Sequence, residues 1–193
     1  MSPSPPYAPP LTADHLYGIG AQLKQHGKRC ELVSGELRIM SPAGGQHGAL
    51  ASDIGAMLAS HARALGLGRC FGAETGFVIQ RDPDSVRAPD VAFVAQDRID
   101  AIGIPERFFP ETPTLAVEII SPSETESQVH AKAQMWIESG CEMVWLVWPS
   151  SRTVTVYRSL EDVRELATDQ TLEGGDVLPG FSVPVATLFE SLP

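Results

Sequence analysis

The sequence predicts an α/β fold, a mixed sheet flanked by helices. Three observations lead there. Short β-branched runs such as Thr-Leu-Ala-Val-Glu-Ile-Ile-Ser (114–121) have the length and character of buried strands. Two longer stretches, near 46–65 and 122–139, carry apolar residues at helical spacing. Glycine and proline clusters separate these segments, and no internal repeat or second core is visible in the 193 residues.

Met-Ser-Pro-Ser-Pro-Pro-Tyr-Ala-Pro-Pro (1–10) reads as a flexible Pro-rich arm, lacking the basic start and apolar core of a secretory signal. Residues 11–193 are expected to form a single domain. Leu11 to Gln25 has a weak helical spacing in Leu16, Ile19 and Leu23, interrupted by Gly18 and Gly20. Cys30 to Met40 reads as two strands around a tight Ser34-Gly35 turn. A helix is expected from Gln46 to Leu65, with an inward stripe of Leu50, Ile54, Met57, Leu58, His61 and Leu65, ended by Gly66 and Gly68. Strands follow near Arg69–Gln80 and Asp90–Ala95, with a turn at Asp82-Pro-Asp-Ser85. Residues 97–113 read as a long connection.

After the strand that holds Glu118, Ser121-Pro-Ser-Glu124 has the signature of a helix start: a capping serine, then proline, then glutamate. The helix is expected from Pro122 to Ser139, with Gly140 ending it. Glu142–Trp148 and Thr153–Arg158 read as strands. Short strands near 164–167 and 170–172, a Leu178-Pro-Gly180 turn and a short final helix complete the chain.

Hydrophobic content of 43% and charged content of 20% are those of an ordinary globular protein. No apolar stretch approaches the roughly 20 residues needed to span a bilayer, so no membrane partner is expected. Cys30, Cys70 and Cys141 are odd in number and lack metal-ligand spacing, which fits small buried hydrophobes in a reduced, cytoplasmic setting. A net charge of −10 argues against a broad basic surface for nucleic acid. It leaves room for an enzyme that meets phosphates through a metal and a few local cations.

Glu118 is the most informative residue. It stands between Ala116 and Ile120 on one face of a strand buried on both sides, where a charge is costly without a compensating partner. That partner is either a salt bridge or a cation. Asp90, after Pro89, opens a neighbouring strand and is either a turn residue or a second oxygen ligand. Two such carboxylates can hold a divalent cation, with the carbonyl of Ile119 as a further donor. Lys132 lies three residues after Val129 and four before Trp136, along the apolar face of its helix. It either snorkels to solvent or points at the carboxylates. His47 opens the long helix beside the inward stripe, as a structural histidine or a site residue. Glu31, taken alone, reads as an exposed strand residue. His61 reads as structural. No nucleophile elbow, phosphate-cradling glycine loop or zinc spacing occurs.

Assembled in order, these pieces resemble the Uma-type restriction endonuclease family of the PD-(D/E)xK nuclease superfamily. The matching segments are Glu-Leu-Val-Ser-Gly-Glu-Leu (31–37), Ser-Pro (41–42), His-Gly (47–48), Pro-Asp-Val-Ala-Phe-Val (89–94) and Val-Glu-Ile-Ile-Ser-Pro-Ser (117–123). Lys132, Val-Trp-Leu-Val-Trp-Pro (144–149) and Leu-Pro-Gly-Phe (178–181) continue the match. The resemblance implies a restriction-endonuclease-like core. The superfamily's Pro-Asp falls on Pro89-Asp90 and its second acid on Glu118. The lysine expected two residues later is Ile120 here, and Lys132 on the following helix takes its place. Trp136, where relatives commonly have tyrosine, reads as a packing change.

The resemblance further implies metal-assisted hydrolysis of phosphodiester bonds, with DNA as substrate. Asp90, Glu118 and the Ile119 carbonyl would hold Mg²⁺ or Mn²⁺, and Lys132 would stabilise charge on the attacking water or the phosphorane. Glu31 would complete the metal shell or orient water, and His47 would contact the phosphate or carry a proton. A homodimer is expected, because double-strand cutters commonly need two sites. The competing expectation is a non-catalytic nucleic-acid-binding or assembly module of the same fold.

Overall fold

The computed structural model describes residues 9–192. The expected arm falls mostly on residues 1–8, outside the described residues. Helix α1 (Ala13–Gln25) leads into a hairpin of β1 (Arg29–Val33) and β2 (Glu36–Met40). Ser34 and Gly35 take φ values of 49° and 78°, the left-handed pair that a two-residue hairpin turn demands. Helix α2 (Gly45–Leu65) follows and ends at Gly66 in the left-handed conformation. Then come β3 (Gly68–Gly72), β4 (Phe77–Gln80), β5 (Ser85–Arg87), β6 (Val91–Ala95), α3 (Gln96–Ile102) and β7 (Leu115–Ile119). The chain continues through α4 (Glu126–Glu138), β8 (Met143–Trp148), β9 (Thr153–Tyr157) and β10 (Val163–Leu166). It closes with β11 (Thr171–Glu173), β12 (Ser182–Pro184) and α5 (Val185–Leu188).

The central sheet has the order β10-β9-β8-β7-β6-β3. Only its β7–β8 pair is parallel, and α4 makes that crossover. A smaller sheet, β2-β1-β5-β4, carries α1. Strand β11 pairs with β12. Side chains of β7 alternate strictly between faces. Leu115, Val117 and Ile119 enter the cluster with Leu50, Ile54, Leu58 and Ala62 of α2. Ala116 and Ile120 enter the opposite cluster with Val129, Ala133 and Trp136 of α4. Glu118 shares the parity of that second set, so its carboxylate points under α4.

The structure corrects several expectations. The expected strand region over 69–80 is two strands in different sheets, parted at residues 73–76, and a further strand, β5, begins at Ser85, the last residue of the expected turn. The 97–113 connection begins with α3, a seven-residue helix with no buried residue and hence no apolar stripe to announce it. In α2 the inward stripe runs to Ala62, while Leu65 is 58% exposed. Helix α4 starts at Glu126 rather than Pro122. Thr125 and Gln128 form a full capping box, which outcompetes the similar signal at Ser121. Finally, Ala13, Leu16, Leu32, Val78 and Val86 form a small apolar cluster of their own beneath α1.

Candidate active site

One cleft of about 910 Å³ is lined by Glu31, His47, Asp90, Glu118, Ile119 and Lys132 together. They come from β1, the start of α2, the residue before β6, the end of β7 and α4. Strand pairing explains the convergence: β6 and β7 are hydrogen-bonded neighbours, and α4 folds back over β7 to reach β8.

Glu118 is 7% exposed. Its Oε1 accepts a hydrogen bond from Trp136 Nε1 at 2.9 Å, and Lys132 Nζ stands 3.5 Å from Oε2. Trp136 is fully buried, so a donor has been built into the wall specifically where a carboxylate needs one. That corrects the packing-only view of Trp136. Burial raises the Glu118 pKa; Lys132 and the indole N–H oppose the rise, and the nearby Asp90 charge adds to it.

Asp90 makes two contacts through one oxygen, Oδ2. It accepts from the Ile119 amide at 2.8 Å and lies 3.0 Å from His47 Nε2. Burial raises its pKa too, against the Ile119 amide, Lys132 and Arg29. Burial and the Lys132 and Arg29 charges push the His47 pKa down, against the Glu118 and Glu124 carboxylates. In an extended strand a residue's amide and carbonyl point to the same side. The Ile119 carbonyl therefore leans toward the Asp90 side as its amide does.

Lys132 has a closer partner than Glu118. Its Nζ is 2.6 Å from Glu124 Oε1. The other Glu124 oxygen accepts from the Ser121 amide at 2.9 Å, and the Glu124 amide donates back to the Ser121 carbonyl at 3.0 Å. The residues that mimic a helix start are thus a closed turn that delivers Glu124 to the cleft. Burial works to lower the Lys132 pKa, but the Glu118 and Glu124 carboxylates outweigh it and raise it. Lys132 is an ammonium ion, not a snorkelling side chain.

Glu31 is also 7% exposed, which corrects its reading as an exposed strand residue. Its Oε1 accepts from the Ala88 amide at 2.9 Å, and Arg87 Nε lies 2.8 Å from Oε2 as an ion pair. Burial raises its pKa despite these partners.

The sequence did not single out Glu124, Arg87 or Arg29, all of which line the cleft. Glu124 carried a usable signal, since it closes the Ser-Pro-Ser-Glu motif. Arg87 carried none, because its partner is remote in sequence. Two other histidines make structural contacts: His61 meets the Pro179 carbonyl at 2.9 Å, and His130 meets the Tyr157 hydroxyl at 3.1 Å. The cysteines are free thiols. Burial pushes those of Cys70 and Cys141 up to about 12, which makes them poor nucleophiles.

Among the described residues no three His, Cys, Asp or Glu side chains gather as a metal-binding group. The donors that do converge are two carboxylates, with the Asp90 charge near enough to raise the Glu118 pKa, beside a strand-end carbonyl. Such an oxygen set fits a hard divalent cation that keeps its other positions for water and phosphate oxygens, and does not fit a closed zinc site.

The profile of the Uma2 family, described as "Putative restriction endonuclease", matches residues 19–186. The chain belongs to the Uma2 family. It is similar to a solved structure described as a putative nuclease of the DUF820 group from Anabaena variabilis. That match has 21% identity and a TM-score of 0.77, covering 93% of this chain and 98% of the other. The likeness shows a shared fold, the mixed α/β core expected from the sequence. No curated protein sequence matches the chain. No helix among the described residues is long and apolar enough to cross a membrane.

Proposed function

We propose that this Uma2 protein is a metal-dependent endonuclease that hydrolyses phosphodiester bonds of DNA. One observation carries the reading: Asp90, Glu118 and Lys132 converge in one cleft, and the lysine nearest to Glu118 is bound more closely by Glu124. Buried Glu118 and partly buried Asp90 therefore share their nearest ammonium with a third acid.

Asp90, Glu118 and the Ile119 carbonyl are the groups that would hold Mg²⁺ or Mn²⁺. When bound, such an ion supplies Lewis acidity toward a phosphate and lowers the pKa of water. The Ile119 amide and His47 fix the Asp90 carboxylate, and Trp136 fixes that of Glu118, so the acids are oriented before substrate arrives. Lys132, held by Glu124, presents an ammonium where negative charge develops on the attacking water or the phosphorane. His47, released from its contact with Asp90, can carry a proton. Glu31, with both oxygens engaged, acts as a positioning residue that holds Arg87 and the 87–88 backbone against the cleft. A homodimer would place two such clefts on one duplex.

Supercoiled plasmid incubated with Mg²⁺ or Mn²⁺ tests the reading. Nicking by the wild type that is lost in both Asp90→Ala and Glu118→Ala supports it. Nicking that survives both substitutions would assign the activity elsewhere. A protein that binds DNA and the ion but never cuts would instead be a non-catalytic module of this fold.

A further inference from the structure

We infer that a second pocket, beneath α1, receives one unpaired base of the substrate strand next to the phosphate held at the acids. This rests on the nuclease reading and narrows it, making the preferred substrate a single strand or a duplex with an extruded base.

The pocket measures about 320 Å³, the small end of ligand-binding sizes. It adjoins the acidic cleft, for Arg29, Glu31, Met40, Arg87 and Ala88 line both. Anything seated in it is therefore a short distance along a chain from Asp90 and Glu118. One wall is aromatic. Tyr17 and Phe108 meet edge to face at 5.7 Å, and Arg107 lies over the Tyr17 ring at 5.0 Å. Phe108 packs against bare backbone at Gly76, where a Cβ would come within 2.4 Å of its ring. Fixed rings of this kind give sequence-tolerant stacking to bases.

In a chain that carries −10, this lining is positive by one charge: Lys28, Arg29 and Arg87 stand against Glu74 and against Glu31, which pairs with Arg87. Cations beside an aromatic wall suit the phosphates that flank a base, and would not be selected by an uncharged apolar ligand.

Gly20 adds an independent observation. It sits four residues after Leu16 on the inward face of α1, where an amphipathic helix would place a large apolar side chain. A helical glycine weakens a helix relative to alanine. No tight packing demands it, since a Cβ there would meet just the Cys30 Sγ, at 3.8 Å. What the missing side chain does is leave the pocket open. Reading an extruded base in a shaped pocket is how enzymes gain access to one nucleotide.

The test uses the full chain and short single strands that carry 2-aminopurine at one position, followed by anisotropy and fluorescence in Ca²⁺ and again in EDTA. A matched strand with an abasic site at that position should bind about ten- to a hundredfold more weakly. The 2-aminopurine emission should change on binding. Gly20→Leu should lose both effects while keeping the wild-type circular dichroism, and Gly20→Ala should keep them. Equal affinity for abasic and intact strands, which needs no variant, would overturn the inference. So would a Gly20→Leu variant that binds like the wild type, or one whose change lies in oligomeric mass alone. The two readings fail separately. If cleavage survives Asp90→Ala and Glu118→Ala, the acid site is wrong while base-dependent binding stands. If those variants are inactive and the abasic strand binds normally, the acid site stands and the pocket does not.

Discussion

Glu31 in the four-stranded sheet and Glu118 in the six-stranded sheet are each 7% exposed, yet their partners differ in kind. The Glu31 oxygens meet Arg87 and the Ala88 amide, at 2.8 and 2.9 Å, both supplied by the neighbouring strand segment. Glu118 meets one neutral donor, Trp136, and a lysine at 3.5 Å that is held at 2.6 Å by another acid. Both carboxylates pay the desolvation penalty of burial, and both have raised pKa values. The first faces a guanidinium within its own sheet, as an ion pair in which Arg87 Nε makes no hydrogen bond, and a backbone donor. The second is oriented but left undercompensated, in the manner of a group meant to meet an external cation. Burial alone does not mark a functional acid; the completeness of its pairing does.

The largest expected effect separates the two by activity. Glu118→Ala and Asp90→Ala should lower plasmid nicking by about a thousandfold or more, the scale of losing preorganised electrostatic stabilisation. Glu31→Gln should cost less than about tenfold per folded molecule, because it removes a positioning contact. Equal losses at 31 and 118 would dissolve the contrast.

Stability should move in opposite directions. Glu31→Ala leaves Arg87 facing the sheet without its acid, and denaturant melts should show a loss of about 2–3 kcal/mol. That is below the usual 3–5 kcal/mol for a broken buried pair because the Arg87 side chain keeps 19% exposure. Glu118→Gln removes an undercompensated charge, so the metal-free protein should be as stable as the wild type or more so. A marked destabilisation by Glu118→Gln would mean that Lys132 already balances the acid.

A smaller effect sharpens the role of Glu124. In Glu124→Gln, Lys132 loses its closer partner and can settle on Glu118, competing with the ion. Calorimetric titration should show Mn²⁺ affinity falling about tenfold, as for other groups that orient a ligand set. Unchanged affinity would make Glu124 a turn residue alone.

The smallest effect is in pH. Below the ordinary glutamate pKa of 4.5, Glu118 is protonated folded or unfolded, and its burial carries no charge penalty. As pH rises from 4.5 through the higher folded value, the unfolded chain ionises first and stability is lost. The Tm of the wild type minus that of Glu118→Gln should therefore decline across that window. A difference that stays flat up to neutral pH would show that the carboxyl is not raised.

Much of this was legible in the sequence because it is local. The 34–35 turn, the β7 run and the α2 stripe are written in consecutive or periodic residues. Asp90, Glu118 and Lys132 stood out as charges on apolar patterns. The start of α4 was misplaced because two capping signals lie four residues apart, and only the turn closed by Glu124 selects between them. Helix α3 buries nothing and so leaves no periodic trace.

By itself, then, the chain determined the β1–β2 hairpin, α2 and the β7 strand, and that acids stand where apolar side chains belong. Periodicity and side-chain parity are properties of the chain read in order. The tertiary structure alone decided that Glu31 is paired with Arg87, that Trp136 turns a donor toward Glu118, and that Lys132 is divided between two acids. Those choices join residues from 8 to 56 positions apart through packing of sheet and helix, where distances of a few tenths of an ångström set which charges are satisfied.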